Sequence, residues 1–232
     1  MGRKRAFSWR MRIGGLILLL ALGGGGWLWW QARHWTPPRA EFPVQGVLIG
    51  ARDGEADFDA LRAIGADFAY LEASAGAARR DARFAANIVQ VRDSGLSFGV
   101  VHSYDPCVPA ERQAANFVTI VPRDDGLLPP AIALDKLADE CPDPVSEAAV
   151  ESELTTFLNQ VEGHVGKPAV LKVAPGFEAR YHIAARLERN LWLTRDWRQP
   201  DYAGRPWALW TANSSLRTEA GPIPVRWVVL QP

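Results

Sequence analysis

Residues 67–102, DFAYLEASAGAARRDARFAANIVQVRDSGLSFGVVH, hold the unit from which the rest of the chain is read. Residues 67–73 and 97–102 are short, largely apolar runs of strand character. Between them, residues 84–91 carry a helical pattern that stops before Gly95, a residue suited to a helix end. Strand, helix and strand in this order predict parallel pairing through a crossover. The same rhythm extends both ways. Upstream, residues 45–50 read as a strand and 58–64 as a short helix ending at Gly65. Downstream come a helix over 109–120 opened by Pro109, a strand over 131–135, and a helix with Val150, Leu154, Phe157, Leu158 and Val161 on one face. A strand over 168–173 and a helix over 177–189 follow. The alternation then stops, and residues 191–194, 207–211 and 225–230 read as strands joined by loops alone.

Eight strands and about five helices define an α/β chain that closes into an irregular barrel of the TIM type. An open doubly wound sheet is the alternative, but the Gly-rich phosphate turn usual in that fold is missing.

Ahead of the barrel, residues 13–30 (IGGLILLLALGGGGWLWW) contain no charge. As a helix this run spans roughly 27 Å, close to the hydrocarbon thickness of a bilayer. Arg3, Lys4, Arg5, Arg10 and Arg12 precede it, and Trp27, Trp29, Trp30 and Trp35 fall where an aromatic belt would lie. A cleaved signal peptide is the rival reading, yet the run ends in bulky Trp rather than a small-residue cleavage site. The expected organisation is therefore a basic cytoplasmic tail over 1–12, a single-pass anchor over 13–30, a linker over 31–44 that is extended over 36–44, and the barrel over 45–232. Positive-inside logic places the barrel on the periplasmic or extracytoplasmic side of the inner membrane.

Net charge is zero over 232 residues, but residues 35–232 carry 20 basic against 26 acidic side chains, a net of −6. An acidic globular part argues against a nucleic-acid partner. Hydrophobic residues at 48% and charged residues at 22% exclude a mostly disordered chain. Cys107 and Cys141 follow strands in Pro- and Asp-rich loops. An exported domain favours their pairing as a disulfide, with two unrelated thiols as the alternative.

Barrel enzymes place their chemistry at the carboxyl ends of the strands. There the sequence offers Glu72, Ser74, His102, Tyr104 and Asp135. If Glu72 and Asp135 point inward from strands separated by one neighbour, their carboxyls come within about 6–9 Å, a spacing suited to two acids flanking a glycosidic bond. Solvated loop acids or acids paired with basic neighbours are the bland alternative. His102, a lone His at a strand end, reads more often as a hydrogen-bonded structural residue than as a base. Trp192, Trp207, Trp210 and Trp227 crowd the last strands, where aromatic faces stack on sugars or fill the core. The four His residues show no zinc spacing, and no metal or cofactor is expected. No P-loop or GxSxG elbow occurs.

Several segments together resemble the glycoside hydrolase family 25 lysozymes (N-acetylmuramidases), over roughly residues 45–215. GVLIG at 46–50 occupies the place of the family's opening G-I-D-V-S strand. FAYLEASAG at 68–76 is similar to F-A-x-x-K-A-T-E-G. Asp81, Phe84 and Asn87 match D-x-x-F-x-x-N, and SGLSFGVVHS at 94–103 is similar to A-G-L-x-x-G-x-Y-H-F. Gln113, Ala114 and Phe117 match Q-A-x-x-F; LPPAIALD at 128–135 resembles L-P-P-V-L-D-V-E; LWLTRDW and WALWTAN resemble the late L-W-x-A-x-Y and W-x-W-Q-Y segments. The resemblance implies a barrel acting on the β-1,4 linkage of peptidoglycan glycan strands. It also implies that the family's D-x-E pair maps to Ala133 and Asp135, its strand-one Asp to Leu48, the Lys and Glu of K-A-T-E-G to Glu72 and Ala75, and its late acid to Arg226.

Two functions follow. In the first, a membrane-anchored muramidase uses Asp135 as proton donor and Glu72 to activate water or stabilise the transition state, with His102, Tyr104, Trp192 and Trp210 contacting substrate. In the second, the barrel is a pseudoenzyme that binds peptidoglycan or an envelope protein. Carboxyls facing one cleft favour the first; carboxyls locked to Arg side chains favour the second.

Overall fold

The computed structural model of the chain describes residues 9–221 and 223–232 and divides into two compact units, Met1–Trp35 and Thr36–Pro232. Within the first unit, helix α1 (Trp9–His34) is apolar around its circumference. Its stretch Arg12–His34 has a mean hydropathy of 1.6, and it is long and apolar enough to cross a bilayer, a test that signal sequences near an N-terminus also pass. At its end Arg33 lies 4.7 Å from the Trp29 ring centroid, and the Trp30 and His34 rings stack at 4.5 Å.

The second unit contains strands β1 (Gln45–Ile49), β2 (Phe68–Ala75), β3 (Arg79–Arg80), β4 (Ser97–Ser103), β5 (Ala131–Leu134), β6 (Val170–Val173), β7 (Asn190–Thr194), β8 (Leu209–Leu216) and β9 (Val225–Leu230). Its helices are α2 (Phe58–Ala63), α3 (Phe84–Asp93), α4 (Ala110–Ile120), α5 (Glu147–Val165), α6 (Pro175–Tyr181) and α7 (Ile183–Arg186). β1 pairs in parallel with β2 and antiparallel with β9, so the sheet closes on itself in the order β1-β9-β8-β7-β6-β5-β4-β2. β3 is a two-residue hairpin arm outside the ring, against Ser74 and Ala75. The expected eight-stranded irregular barrel is the observed one.

The alternation of side chains in and out of the wall explains how the barrel is filled. Leu48, Phe68, Tyr70, Val101, Ala131, Ala133, Val170, Trp192, Leu209 and Val228 form the interior cluster. Large rings fit there because small residues face them. A side chain at Gly99 would collide with Tyr70, and one at Gly46 with the Phe68 backbone. Tyr70 and Trp192 meet with centroids 5.0 Å apart, and the Trp192 indole donates to the Thr211 hydroxyl at 2.8 Å.

Four local differences from the sequence reading have physical causes. The expected helix over 177–189 is two helices, because His182 adopts φ 50°, in the left-handed region, and the Glu178 carboxylate caps the Ala184 amide beyond it. The break lets Phe177, Tyr181, Ile183 and Ala184 all bury. β8 starts at Leu209 rather than Trp207 and runs on to Leu216, its register shifted twice against antiparallel β9. β2 extends to Ala75 with an irregularity between Glu72 and Ser74. Residues 36–44 are not wholly extended: the chain turns at Pro38–Phe42, and the Phe42 ring is buried against Trp207 and Trp210.

Over the carboxyl ends of the strands, Cys107 and Cys141 are bonded, with Cα atoms 5.2 Å apart. They tie the β4–α4 loop to the β5–α5 loop. Lys136 reinforces the tie by donating to both Asp105 carboxylate oxygens, at 2.8 and 2.9 Å.

Candidate functional site at the barrel mouth

At the carboxyl ends of the strands the interior opens into a cavity of about 460 Å³ lined by Arg52, Asp53, Lys172, Thr194, Thr211, Ser214, Ser215, Pro224 and Arg226. Strand parity explains the lining. Lys172 follows Val170 on β6, Thr194 follows Trp192 on β7, Thr211 follows Leu209 on β8, and Arg226 precedes Val228 on β9; each partner in these pairs except Thr194, Thr211, Lys172 and Arg226 themselves is an interior residue.

Arg226 organises one wall. Buried at 7% exposure, it donates from Nη1 to Glu72 Oε1 and from Nη2 to Asp53 Oδ2, both at 2.5 Å. Asp53 also accepts the Gly50 amide at 2.7 Å, and Arg52 lies 3.4 Å from Glu72 Oε1. The absence of a side chain at Gly50 is what admits the Glu72 carboxylate, since any Cβ there would overlap it. Two strand ends and the turn between them are thereby knotted by one guanidinium.

Lys172 stands opposite in character. It makes no hydrogen bond or ion pair with any described residue, and its ammonium lies 5.9 Å from the Trp192 ring centroid. Burial pushes its pKa below the usual lysine value; the Asp135 charge opposes that shift. Asp135 itself lies one residue beyond β5, exposed at the rim on the parity of Ala131 and Ala133.

The candidate site residues therefore separate. Glu72 joins the cavity wall only through its ion pair with Arg226, and Asp135 stands exposed one residue past β5. Glu72 is tied to arginine and Asp135 is open to solvent. His102, Tyr104, Trp192 and Trp210 are buried, at 0%, 2%, 0% and 2% exposure, so none of these rings presents a face to the cavity. His102 turns away from the barrel interior and packs on Phe117 of α4 and Phe157 of α5. Trp210 packs on Phe42 and Trp207 and donates to the Arg195 carbonyl at 2.7 Å. Trp192 is the floor beneath Lys172. Sequence reasoning missed Lys172 and Asp53. Lys172 carried a usable signal: a lone charge in the apolar run VLKV of a buried strand has to point somewhere polar. Among the described residues no group of three or more His, Cys, Asp and Glu side chains is placed to hold a metal ion.

Comparison with known proteins matches residues 49–219 to the model of the glycosyl hydrolases family 25. A family 25 glycosyl hydrolase from Bacillus anthracis superposes with a TM-score of 0.76 at 22% identity, covering 85% of this chain and 92% of that one. The bacterial lysozyme from Streptomyces coelicolor superposes with a TM-score of 0.72 at 17% identity, covering 82% of this chain and 92% of the other. In sequence, the uncharacterized protein YegX of Escherichia coli K12 is 23% identical over 195 residues, covering 79% of this chain and 69% of YegX.

Proposed function

The chain belongs to glycosyl hydrolase family 25, and from that membership we propose that it is a membrane-anchored, non-hydrolysing barrel that binds the glycan strands of peptidoglycan at its mouth. The observation that carries this reading is the engagement of Glu72. A two-carboxylate mechanism needs one acid to deliver a proton and a second, across the scissile bond, to act on water or the sugar. Glu72 Oε1 is instead occupied by Arg226 and approached by Arg52. Of the positions where the resemblance puts family acids, Leu48, Ala75, Ala133 and Arg226 are no longer acidic and Asp135 alone still is, and Leu48 and Ala133 belong to the packed interior. A charge exchange rationalises the retained fold: where the family pattern has Lys on this strand and an acid late in the chain, this protein has Glu72 and Arg226, joined as an ion pair of reversed sense.

The second reading is hydrolysis driven by Asp135. Its support is that a carboxylate remains at the rim of the strand where the family pattern ends in Glu, and that no arginine among the described residues pairs with it. Its cost is the carboxyl's retreat by one methylene, about 1.5 Å, when misplacement of about 1 Å lowers a rate on the order of 100-fold.

One experiment separates the two. The full chain in mild detergent is incubated with purified peptidoglycan, beside its Asp135→Asn variant, and both reducing ends and co-sedimentation are measured. We expect co-sedimentation by both proteins and no reducing ends from either across the acid to neutral range. Reducing ends from the parent that vanish in Asp135→Asn would establish the hydrolase instead.

The anchor is tested in cells. The protein is expected in the membrane fraction after alkaline carbonate extraction, with residues 1–35 still attached by N-terminal sequencing. An N-terminus beginning after Trp30 would replace the anchor with a cleaved signal peptide.

A further inference from the structure

The charges at the mouth balance in number, three cations against Asp53, Glu72 and Asp135, but not in pairing. Its lining carries Arg52, Lys172 and Arg226 against Asp53, with Glu72 bound from the side. Arg226 is shared between its two carboxylates, which leaves the charges of Arg52 and Lys172 less completely answered. Arg52 reaches Glu72 only at 3.4 Å and its side chain is 64% exposed at the rim. Lys172 has neither hydrogen bond nor ion pair among the described residues. Lys172 is part-exposed at the cavity, so its ammonium is open to an anion that the protein itself does not supply.

The neighbouring polar groups are donors as well. Thr211, at 2% exposure, already accepts the Trp192 indole N–H on its hydroxyl oxygen, so its own proton is available to an acceptor. Arg226 Nε is buried with no acceptor among the described residues. Thr194, Ser214 and Ser215 add hydroxyls around the same cavity. A volume of about 460 Å³ lies within the range of small-molecule sites and admits a sugar ring with a charged substituent.

We propose that the barrel mouth is a carboxylate-binding site in which Lys172 receives the acidic group of a saccharide and the Thr194, Thr211 and Ser214 hydroxyls meet its ring oxygens. The proposal rests on the glycan-binding reading and deepens it: recognition is directed at the acid borne by the sugar, and neutral sugars are poor ligands. A single carboxylate matches the single unanswered ammonium; a doubly charged phosphate would leave charge unpaired beside Asp53, Glu72 and Asp135.

The test uses the full chain in detergent and two preparations of peptide-free glycan strands, one with free lactyl carboxylates and one with those carboxylates amidated. The parent protein is expected to bind the free form about tenfold more tightly, the size of one charge-assisted contact. Lys172→Gln is expected to bind both forms equally and to melt no lower than the parent, since it removes a part-exposed charge that no described residue pairs. Equal binding of both forms by the parent, or a preference that survives Lys172→Gln, overturns the proposal. Acylation of Lys172 by an amine-reactive reagent, followed by mass spectrometry, provides an independent readout. D-glucuronate is expected to protect the amine and D-glucose is not. Protection without any strand binding would remove peptidoglycan as the ligand while keeping the carboxylate site. No protection by D-glucuronate, or equal protection by inorganic phosphate, would remove the site itself.

Discussion

Replacing Arg226 by methionine is expected to cost about 3–5 kcal/mol of stability, the range for breaking a buried ion pair by deleting one partner. The side chain is of similar length, so the loss is electrostatic and not a cavity. Asp53 would keep only its bond from the Gly50 amide, and Glu72 would keep only the exposed Arg52 at 3.4 Å. Both carboxylates sit where β1 meets β2 and β9, the two pairings that close the ring. The deletion therefore acts on closure as well as on the mouth. Urea denaturation of the detergent-solubilised chain, followed by near-ultraviolet circular dichroism, measures it. The triple variant Asp53→Asn, Glu72→Gln, Arg226→Met is expected to recover most of the loss, because no charge is then left uncompensated. A loss below about 1 kcal/mol in the single variant would put the triad among hydrated surface pairs, whose usual worth is no larger.

The same triad shows where a sequence reading reaches and where it stops. Eight strands were legible because each is a short apolar run with a turn or helix signal on either side, and burial on both faces makes such runs nearly continuous. β3 was not, because Arg79–Arg80 has no apolar content and exists only as a partner for Ser74 and Ala75. The kink at His182 was hidden for a different reason. Nothing in the local pattern of residues 177–189 breaks a helix; the break comes from four side chains that must all reach the core.

At the site, parity arguments give the side of the wall that Glu72 and Asp135 face as an expectation, but they carry no information about which of the surrounding arginines a carboxylate such as Glu72 meets. Arg226 lies 154 residues from Glu72 and 173 from Asp53, and only barrel closure makes them neighbours. The aromatic candidates failed to be legible in a complementary way. Whether Trp192 faces a ligand or a packed interior depends on Gly99, Ala131 and Ala133 across the barrel, whose smallness draws the rings inward.

Stability is expected to fall steeply as the solution is acidified from neutrality toward pH 4, and His102 is the main single cause. The ring is fully buried, and burial, together with the repulsive charge of Arg79, lowers its pKa to about 4 against the hydrogen bond it makes to Gln113. Its neutral form is fully matched. Gln113 Oε1 already accepts the Asp105 amide at 2.8 Å while its amide nitrogen donates to the Asp105 and Val108 carbonyls, so that oxygen can only accept from His102 Nε2. Nδ1 is then the lone-pair nitrogen, 2.8 Å from the Ser74 hydroxyl that donates to it. Protonation at Nδ1 would turn that hydroxyl around and place a charge against the Phe117 and Phe157 rings that seat α4 and α5 on the barrel. The unfolded chain takes up the proton near the ordinary histidine value of about 6.5, well before the folded one. Between the two values the unfolded state binds more protons, so stability present at neutral pH is lost as pH falls, by about 3 kcal/mol at the lower end. Unfolding free energies measured at successive pH values should show this slope, and His102→Gln, which keeps an amide donor and acceptor without titrating, should flatten it by about one proton. Identical slopes in the two proteins would move the acid sensitivity to the carboxylates and leave His102 as a packing residue alone.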